Sequence, residues 1–200
     1  MRQRAIALGF IAITLAACGM NLPEQMPTST TNMPTPSAPV VLPSTPAPPS
    51  TATPPAASTS DIREIRTGPI AHLATARMAR RESSDRFVLE FTDRVPGYTI
   101  GYRPLPAHAD ASGEEIPLPG ATALVQITLS PATGTGWVGD PRTYFGPSTV
   151  TADTASVTEA KAAGDFEAML TWVVGLRTKV PFQVRVLDGP PRLVIDFSSN

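Results

Sequence analysis

Three side chains that suit ligand binding fall within one Gly- and Pro-rich stretch, residues 131–151: Trp137, Arg142 and Tyr144. An aromatic face stacks on a sugar ring, and a guanidinium takes a carboxylate through two parallel N–H donors. The competing reading is that Trp137 and Tyr144 fold back and close one end of a β-structure. Asp165 and Glu167 flank Phe166. Two carboxylates held about 5–10 Å apart across a cleft hydrolyse glycosides, but neighbouring carboxylates in a turn are simply solvated. His72 and His108 show neither H-x-H nor H-x-x-x-H spacing, so two solvated histidines are expected, and no metal site. Arg77, Arg80 and Arg81 make a small basic cluster, suited to an anionic polymer or lipid head groups if it is more than a solvated loop. Gly134-Thr135-Gly136-Trp137-Val138-Gly139 has nearly the glycine spacing of a dinucleotide loop, yet it runs into Pro141 with no helix to hold a pyrophosphate. With no G-x-S-x-G and no P-loop either, the expectation is a binding protein that is not an enzyme and uses no cofactor.

The N-terminus states an address. Arg2 and Arg4 precede an apolar run from Ala5 to Ala17, which is too short to span a bilayer about 30 Å thick. It ends in Leu15-Ala16-Ala17-Cys18, which resembles a bacterial lipobox, and Cys18 is the only cysteine in the chain. Residues 1–17 then form a lipoprotein signal peptide, and Cys18 carries the lipid that anchors the protein to the outer face of the cell membrane. Two acyl chains make such an anchor stable, at about 0.8 kcal/mol for each buried methylene. An ordinary signal peptide with a stray cysteine is the alternative. An acylated Cys18 also leaves no thiol for a disulfide or a thiolate metal site.

Cleavage before Cys18 removes two of the sixteen basic residues and none of the seventeen acidic ones, leaving a net charge of −3. A nucleic-acid binder would be basic, so that class is excluded. Residues 19–60 hold eleven prolines and fourteen serines or threonines, with Glu24 as the only charge and no aromatic residue. Such a segment buries too little to offset the entropy of ordering and is predicted to be a disordered stalk. At about 3.1 Å per residue it reaches roughly 130 Å. Ser/Thr with Pro suits an O-glycosylated stalk or an unmodified spacer equally. The lipid-anchored Cys and linker thus cover 18–60, and the folded domain 61–200.

The elements that must position the candidate residues are strands. Ile62–Arg66, Phe87–Phe91, Tyr98–Tyr102, Leu124–Leu129, Phe182–Leu187 and Arg192–Phe197 alternate apolar and polar residues at period two. Asp188-Gly189-Pro190 joins the last two as a hairpin. Val157–Ala163 and Phe166–Gly175 are predicted strands around a turn at Gly164-Asp165, with Trp172 in the core beside Leu170 and Val174. Ile70–Ser84 reads as an irregular loop, Ala107–Glu115 as a surface loop, and Thr143–Phe145 as a short strand. No stretch sustains a helical period, so the fold class is all-β, a sandwich or barrel of about eight short strands. Thr92-Asp93-Arg94-Val95-Pro96 before Tyr98, Ile100 and Tyr102 is echoed by Arg177-Thr178-Lys179-Val180-Pro181 before Phe182, Val184 and Val186. That echo predicts two β-units facing one another in a pseudo-twofold sandwich.

Asp61-Ile62-Arg63-Glu64-Ile65-Arg66-Thr67-Gly68, Asp85-Arg86-Phe87-Val88-Leu89-Glu90-Phe91, Gly146-Pro147-Ser148-Thr149-Val150 and Arg192-Leu193-Val194-Ile195-Asp196-Phe197 resemble the AMIN-like domain of secreted actinobacterial lipoproteins. The resemblance runs from Asp61 to the C-terminus. It implies a β-sandwich of two small sheets that localises to the envelope and binds peptidoglycan, a polymer offering both sugar rings and carboxylates to Trp137, Arg142 and Tyr144. The chain has none of the amidase or secretin partner domains that such modules usually target, and Ile70–Ser84 is longer than the turn the family pattern leads one to expect. The expected function is therefore a non-enzymatic envelope lipoprotein that binds peptidoglycan or a related glycan. The alternative is an adaptor that binds another exported protein through a sheet edge.

Overall fold

A computed structural model describes residues 56–136 and 139–199. The signal segment, Cys18, most of the stalk and Trp137 lie outside the described residues. Alternating apolar side chains need two surfaces to close against, and the chain supplies them as two stacked sheets. The strands are β1 (Ile62–Glu64), β2 (Ala71–Arg80), β3 (Ser84–Phe91), β4 (Gly97–Arg103), β5 (Ala107–His108), β6 (Glu115–Ile116) and β7 (Ala123–Ser130). They continue with β8 (Ala132–Thr133), β9 (Thr149–Val150), β10 (Val157–Phe166), β11 (Met169–Leu176), β12 (Phe182–Leu187) and β13 (Arg192–Ser198). One sheet runs β1-β4-β7-β11-β10-β9 and the other β12-β13-β3-β2-β8, while β5 and β6 pair by themselves. No helix occurs among the described residues. The domain is an all-β sandwich, as the periodicity requires.

The echo between the two halves is visible in the topology. Hairpin β2–β3 lies in the five-stranded sheet, and its chain crosses to β4 in the other. Hairpin β10–β11 lies in the six-stranded sheet, and its chain crosses back to β12. Exchanging β2, β3, β4 and β7 for β10, β11, β12 and β13 maps the central order β4-β7-β11-β10 onto β12-β13-β3-β2. The inner faces meet in one core containing Phe87, Ile127, Trp172, Phe182 and Phe197, all fully buried. Tyr102 locks the second crossover, its hydroxyl donating to Val180 O at 2.6 Å and accepting from Val180 N at 3.0 Å. On the outer face of the six-stranded sheet, Leu124, Ala163 and Val173 are covered by Ala107, Ile116 and Leu118 from the loop after β4.

Three local expectations need correction. Ile70–Ser84 is no irregular loop, because 71–80 form β2, with Ala71 and Leu73 buried and Ala76 and Met78 packed on the core. A register shift between Leu73 and Thr75 breaks the alternation, and small alanines stand where large side chains would have marked the face. No strand forms over Thr143–Phe145, where Thr143 N and Tyr144 N instead both donate to Gly134 O, at 3.1 and 2.9 Å. The hairpin after β10 turns at Glu167-Ala168, since Phe166 pairs with Met169, while Gly164 and Asp165 remain in the strand. Gly164 sits at a register shift, where an added Cβ would collide with the Asp110 carboxylate.

Glu167 and Ala168 have φ of 49° and 57°. Two consecutive positive values mark a type I′ turn, which Asn-Gly fits best. A side chain in the left-handed region costs about 1 kcal/mol. The double variant Glu167→Asn, Ala168→Gly is therefore expected to raise stability by about 1 kcal/mol. Urea unfolding checks this, and an unchanged midpoint would mean the turn carries no strain.

Candidate functional site

The chain joins the sandwich at Ser58, whose backbone pairs with Phe182 at one end of the sheets. At that same end, Asp85 is fully buried and its carboxylate accepts backbone N–H groups from Ala155 (3.2 Å), Ser156 (2.6 Å) and Val157 (3.0 Å). The opposite end carries a cleft of about 360 Å³. Trp172, Leu170 and Leu73 line it from the core, and Tyr144, Arg142 and Asp165 from the loop and strand around it.

Each wall has a local cause. Asp165 Oδ2 accepts three hydrogen bonds from the loop: Gly134 N (2.8 Å), Thr135 N (2.8 Å) and Thr135 Oγ1 (2.9 Å). Thr143 Oγ1 donates to Leu73 O at 2.8 Å, which fastens the returning arm to β2. Between these ties the Tyr144 ring turns inward, 8% exposed, edge-on to Trp172 at 5.9 Å, with its hydroxyl donating to Pro147 O at 2.7 Å. Burial raises the Tyr144 phenol above its ordinary value, so it stays neutral. The loop can wrap the ring this closely because Gly134 and Gly146 bring no Cβ. One added at Gly134 would lie 2.9 Å from Tyr144 Cβ, and one at Gly146 would lie 2.6 Å from the hydroxyl.

Arg142 faces outward. Its Nε donates to Tyr144 O at 2.6 Å, and its guanidinium lies 5.6 Å from the centre of the Phe145 ring. Phe145 is 79% exposed. The rim therefore presents a guanidinium backed by an open aromatic face, above a cleft floored by apolar side chains. That combination can hold a ring-shaped ligand carrying an oxygen acceptor or a carboxylate.

Several sequence candidates thus meet here in altered roles. Tyr144 is a structural wall rather than an exposed stacking face. Trp172 is core, as its alternation indicated, and it stands fully buried behind the cleft, backing the Tyr144 ring. Asp165 is an anchor for the loop, its Oδ2 occupied by three donors, while Glu167 sits in the hairpin turn. Phe145 was missed as a rim residue, although a second aromatic beside Tyr144 in a Gly/Pro-rich stretch was a usable signal.

The other charged candidates do not join the cleft floor. His72 lies in β2, not in a loop. Its Nδ1 faces Asp93 at 3.5 Å, and its Nε2 lies 3.3 Å from Asp140 of the cleft loop. Burial pushes the Asp93 carboxyl up, but hydrogen bonds from His72 N, Arg94 N and the imidazole outweigh it and hold the group below its usual range. His108 bonds Gly113 O through Nδ1 at 3.1 Å. No cluster of three His, Cys, Asp or Glu suited to a metal occurs among the described residues. The Arg77–Arg81 cluster is dispersed, because strand geometry sends Arg77 and Arg80 to opposite faces, and Arg77 pairs with Glu90 at 3.0 Å.

Residues 71–199 match the family model of the AMIN-like domain. No curated protein and no solved structure gives a significant match.

Proposed function

From the fact that this chain belongs to the AMIN-like domain family, we propose that it is a non-enzymatic envelope protein whose cleft between loop 134–148 and the β10–β11 hairpin binds peptidoglycan or a related glycan. The family is one of envelope-binding domains, and the sandwich fold agrees with it. In this reading Cys18 carries the lipid anchor and the Pro-rich segment is the stalk. The observation that carries the reading is the placement of Arg142 and Phe145 on the rim of an apolar cleft at the end away from Ser58. A domain built this way has its ligand-binding end opposite the point, Ser58, at which the chain joins the sheets. Trp137 belongs to the same loop in sequence and is a third contact residue in the proposal.

The test is retention on purified cell wall. Arg142→Ala with Phe145→Ala, and separately Trp137→Ala, are each expected to reduce retention at least about tenfold, the scale of one lost anchoring contact. Because Arg142 and Phe145 are exposed, the melting temperature of that pair should move by only about 2 °C or less. Full retention by both variants would overturn the site.

A second reading has its own support. Strand β12 is the edge of the five-stranded sheet, and among the described residues only the bridge at Ser58 covers it, so within that set Gln183–Leu187 leave backbone donors and acceptors open. An adaptor would add a strand of another exported protein there. In-cell crosslinking from Leu187 would then trap one defined protein partner.

A further inference from the structure

A different set of polar groups gathers on the outer face of the five-stranded sheet. Asp196 of β13 stands opposite Gln183 of β12 on one side and Arg86 of β3 on the other. It is 3% exposed. Arg86 grips its carboxylate with Nε at 2.6 Å and Nη2 at 3.1 Å, and Arg185 Nη2 adds a third bond at 2.5 Å. Burial pushes the Asp196 carboxyl up, but these hydrogen bonds and charges outweigh it and hold the group below the usual carboxylate range. It is therefore ionised at neutral pH.

Two guanidinium groups on one carboxylate leave a positive charge over. A groove of about 550 Å³ opens beside them, lined also by Arg81, Glu82, Ser83 and Gln183. Arg81 and Glu82 form no ion pair among the described residues. Three guanidinium groups thus face two carboxylates, a surplus of one. Spare donors remain as well: among the described residues Arg86 Nη1 and Arg185 Nη1 carry no hydrogen bond, whereas Arg185 Nε, also without a partner there, is buried behind them. Asp196 fixes both planar forks, so an arriving anion meets donors that are already oriented. One surplus charge matches a monoanion better than a phosphate dianion, and a planar fork matches a carboxylate.

We propose that this groove binds a monocarboxylate of the kind found at the free C-terminus of a peptide. Arg81, Arg86 and Arg185 hold the carboxylate, and the Gln183 amide meets the adjoining peptide group. The site stands apart from the cleft: Leu73 lines the cleft near the start of β2, whereas Arg81 follows the far end of that strand. The two proposals stand or fall separately.

The experiment titrates the full chain with N-acetyl-alanyl-alanine, with its C-terminal amide, and with inorganic phosphate. Binding is read by calorimetry and by the Nε–Hε nuclear magnetic resonance signals of Arg86 and Arg185. The acid is expected to shift both signals and to bind at least about tenfold more tightly than the amide. Arg81→Gln, a substitution on the exposed turn, should weaken the acid by about three- to tenfold, and Arg185→Lys, which keeps the charge but loses the fork, by about tenfold. Equal binding of acid and amide would overturn the proposal, and so would no binding at about 10 mM or variants that leave acid affinity unchanged. Phosphate binding more tightly than the acid would overturn the monocarboxylate assignment.

Discussion

Replacing Asp85 with alanine is expected to cost about 3–5 kcal/mol of stability, lowering the melting temperature by roughly 10–15 °C for a domain of this size. The side chain is fully buried, and it is the shared acceptor of three consecutive backbone N–H groups, those of Ala155, Ser156 and Val157. A hydrogen bond to a charged group contributes about 1.5–3 kcal/mol, and each buried donor left without a partner costs about 1–3 kcal/mol. The simple sum would exceed the total stability of many domains. A water molecule entering the space left by the carboxylate recovers part of the loss, which sets the lower figure. Asp85→Asn keeps one acceptor oxygen and should lose less than Asp85→Ala. Thermal and urea unfolding followed by far-ultraviolet circular dichroism measure both variants. A loss below about 1 kcal/mol for alanine would show that the 155–157 segment does not depend on this carboxylate.

The second large effect is expected at Trp172. Truncation to alanine removes a fully buried indole packed 5.6 Å from Phe87 and 5.9 Å from Tyr144. Such a change costs about 3–5 kcal/mol, because the lost transfer energy adds to that of the cavity left behind. It also leaves a void behind the Tyr144 ring that the cleft loop wraps, so wall retention should fall together with stability. Arg142→Ala with Phe145→Ala should differ, losing retention alone. Trp172→Phe discriminates further. The indole Nε1 has no hydrogen-bond partner among the described residues, so phenylalanine forfeits packing but none of the hydrogen bonds seen there, and its cost should stay near about 1–2 kcal/mol. Urea midpoints of the two variants decide. Equal losses would mean that ring size is irrelevant and the polar edge matters.

These effects fall unevenly on what the sequence displays. Trp172 was legible as core, since it alternates with Leu170 and Val174 in a run that reads as a strand. Asp85 gave no such sign. It stands at the head of an apolar strand, where a charged residue is ordinary, and its partners lie 70 to 72 residues away. The cleft was half legible. Arg142 and Tyr144 were singled out because the local punctuation left two large side chains unexplained. Which of them turns inward was decided by Gly134 and Gly146, whose missing Cβ atoms let the loop close on the phenol ring. The Asp165–Glu167 pair misled for a related reason. Separated only by Phe166, the two belong to different environments, one bonded under the loop and the other on the hairpin turn. Strand β2 was missed because Ala71 and Ala76 hold two of its four core-facing positions and a register shift breaks its period.

By itself the sequence determined that this is a chain of alternating strands with two echoing halves, and hence a sandwich with most of its large apolar residues inside. Period two is a local property: it sets the face on which each side chain lies, whatever the distant partners are. Tertiary structure alone decided which polar groups meet. Arg86 reaches Asp196 across 110 positions, and Asp165 holds Gly134 across 31. Those meetings depend on strand order and register, which follow from the crossovers between sheets and from packing at the core. No spacing within a single strand encodes them.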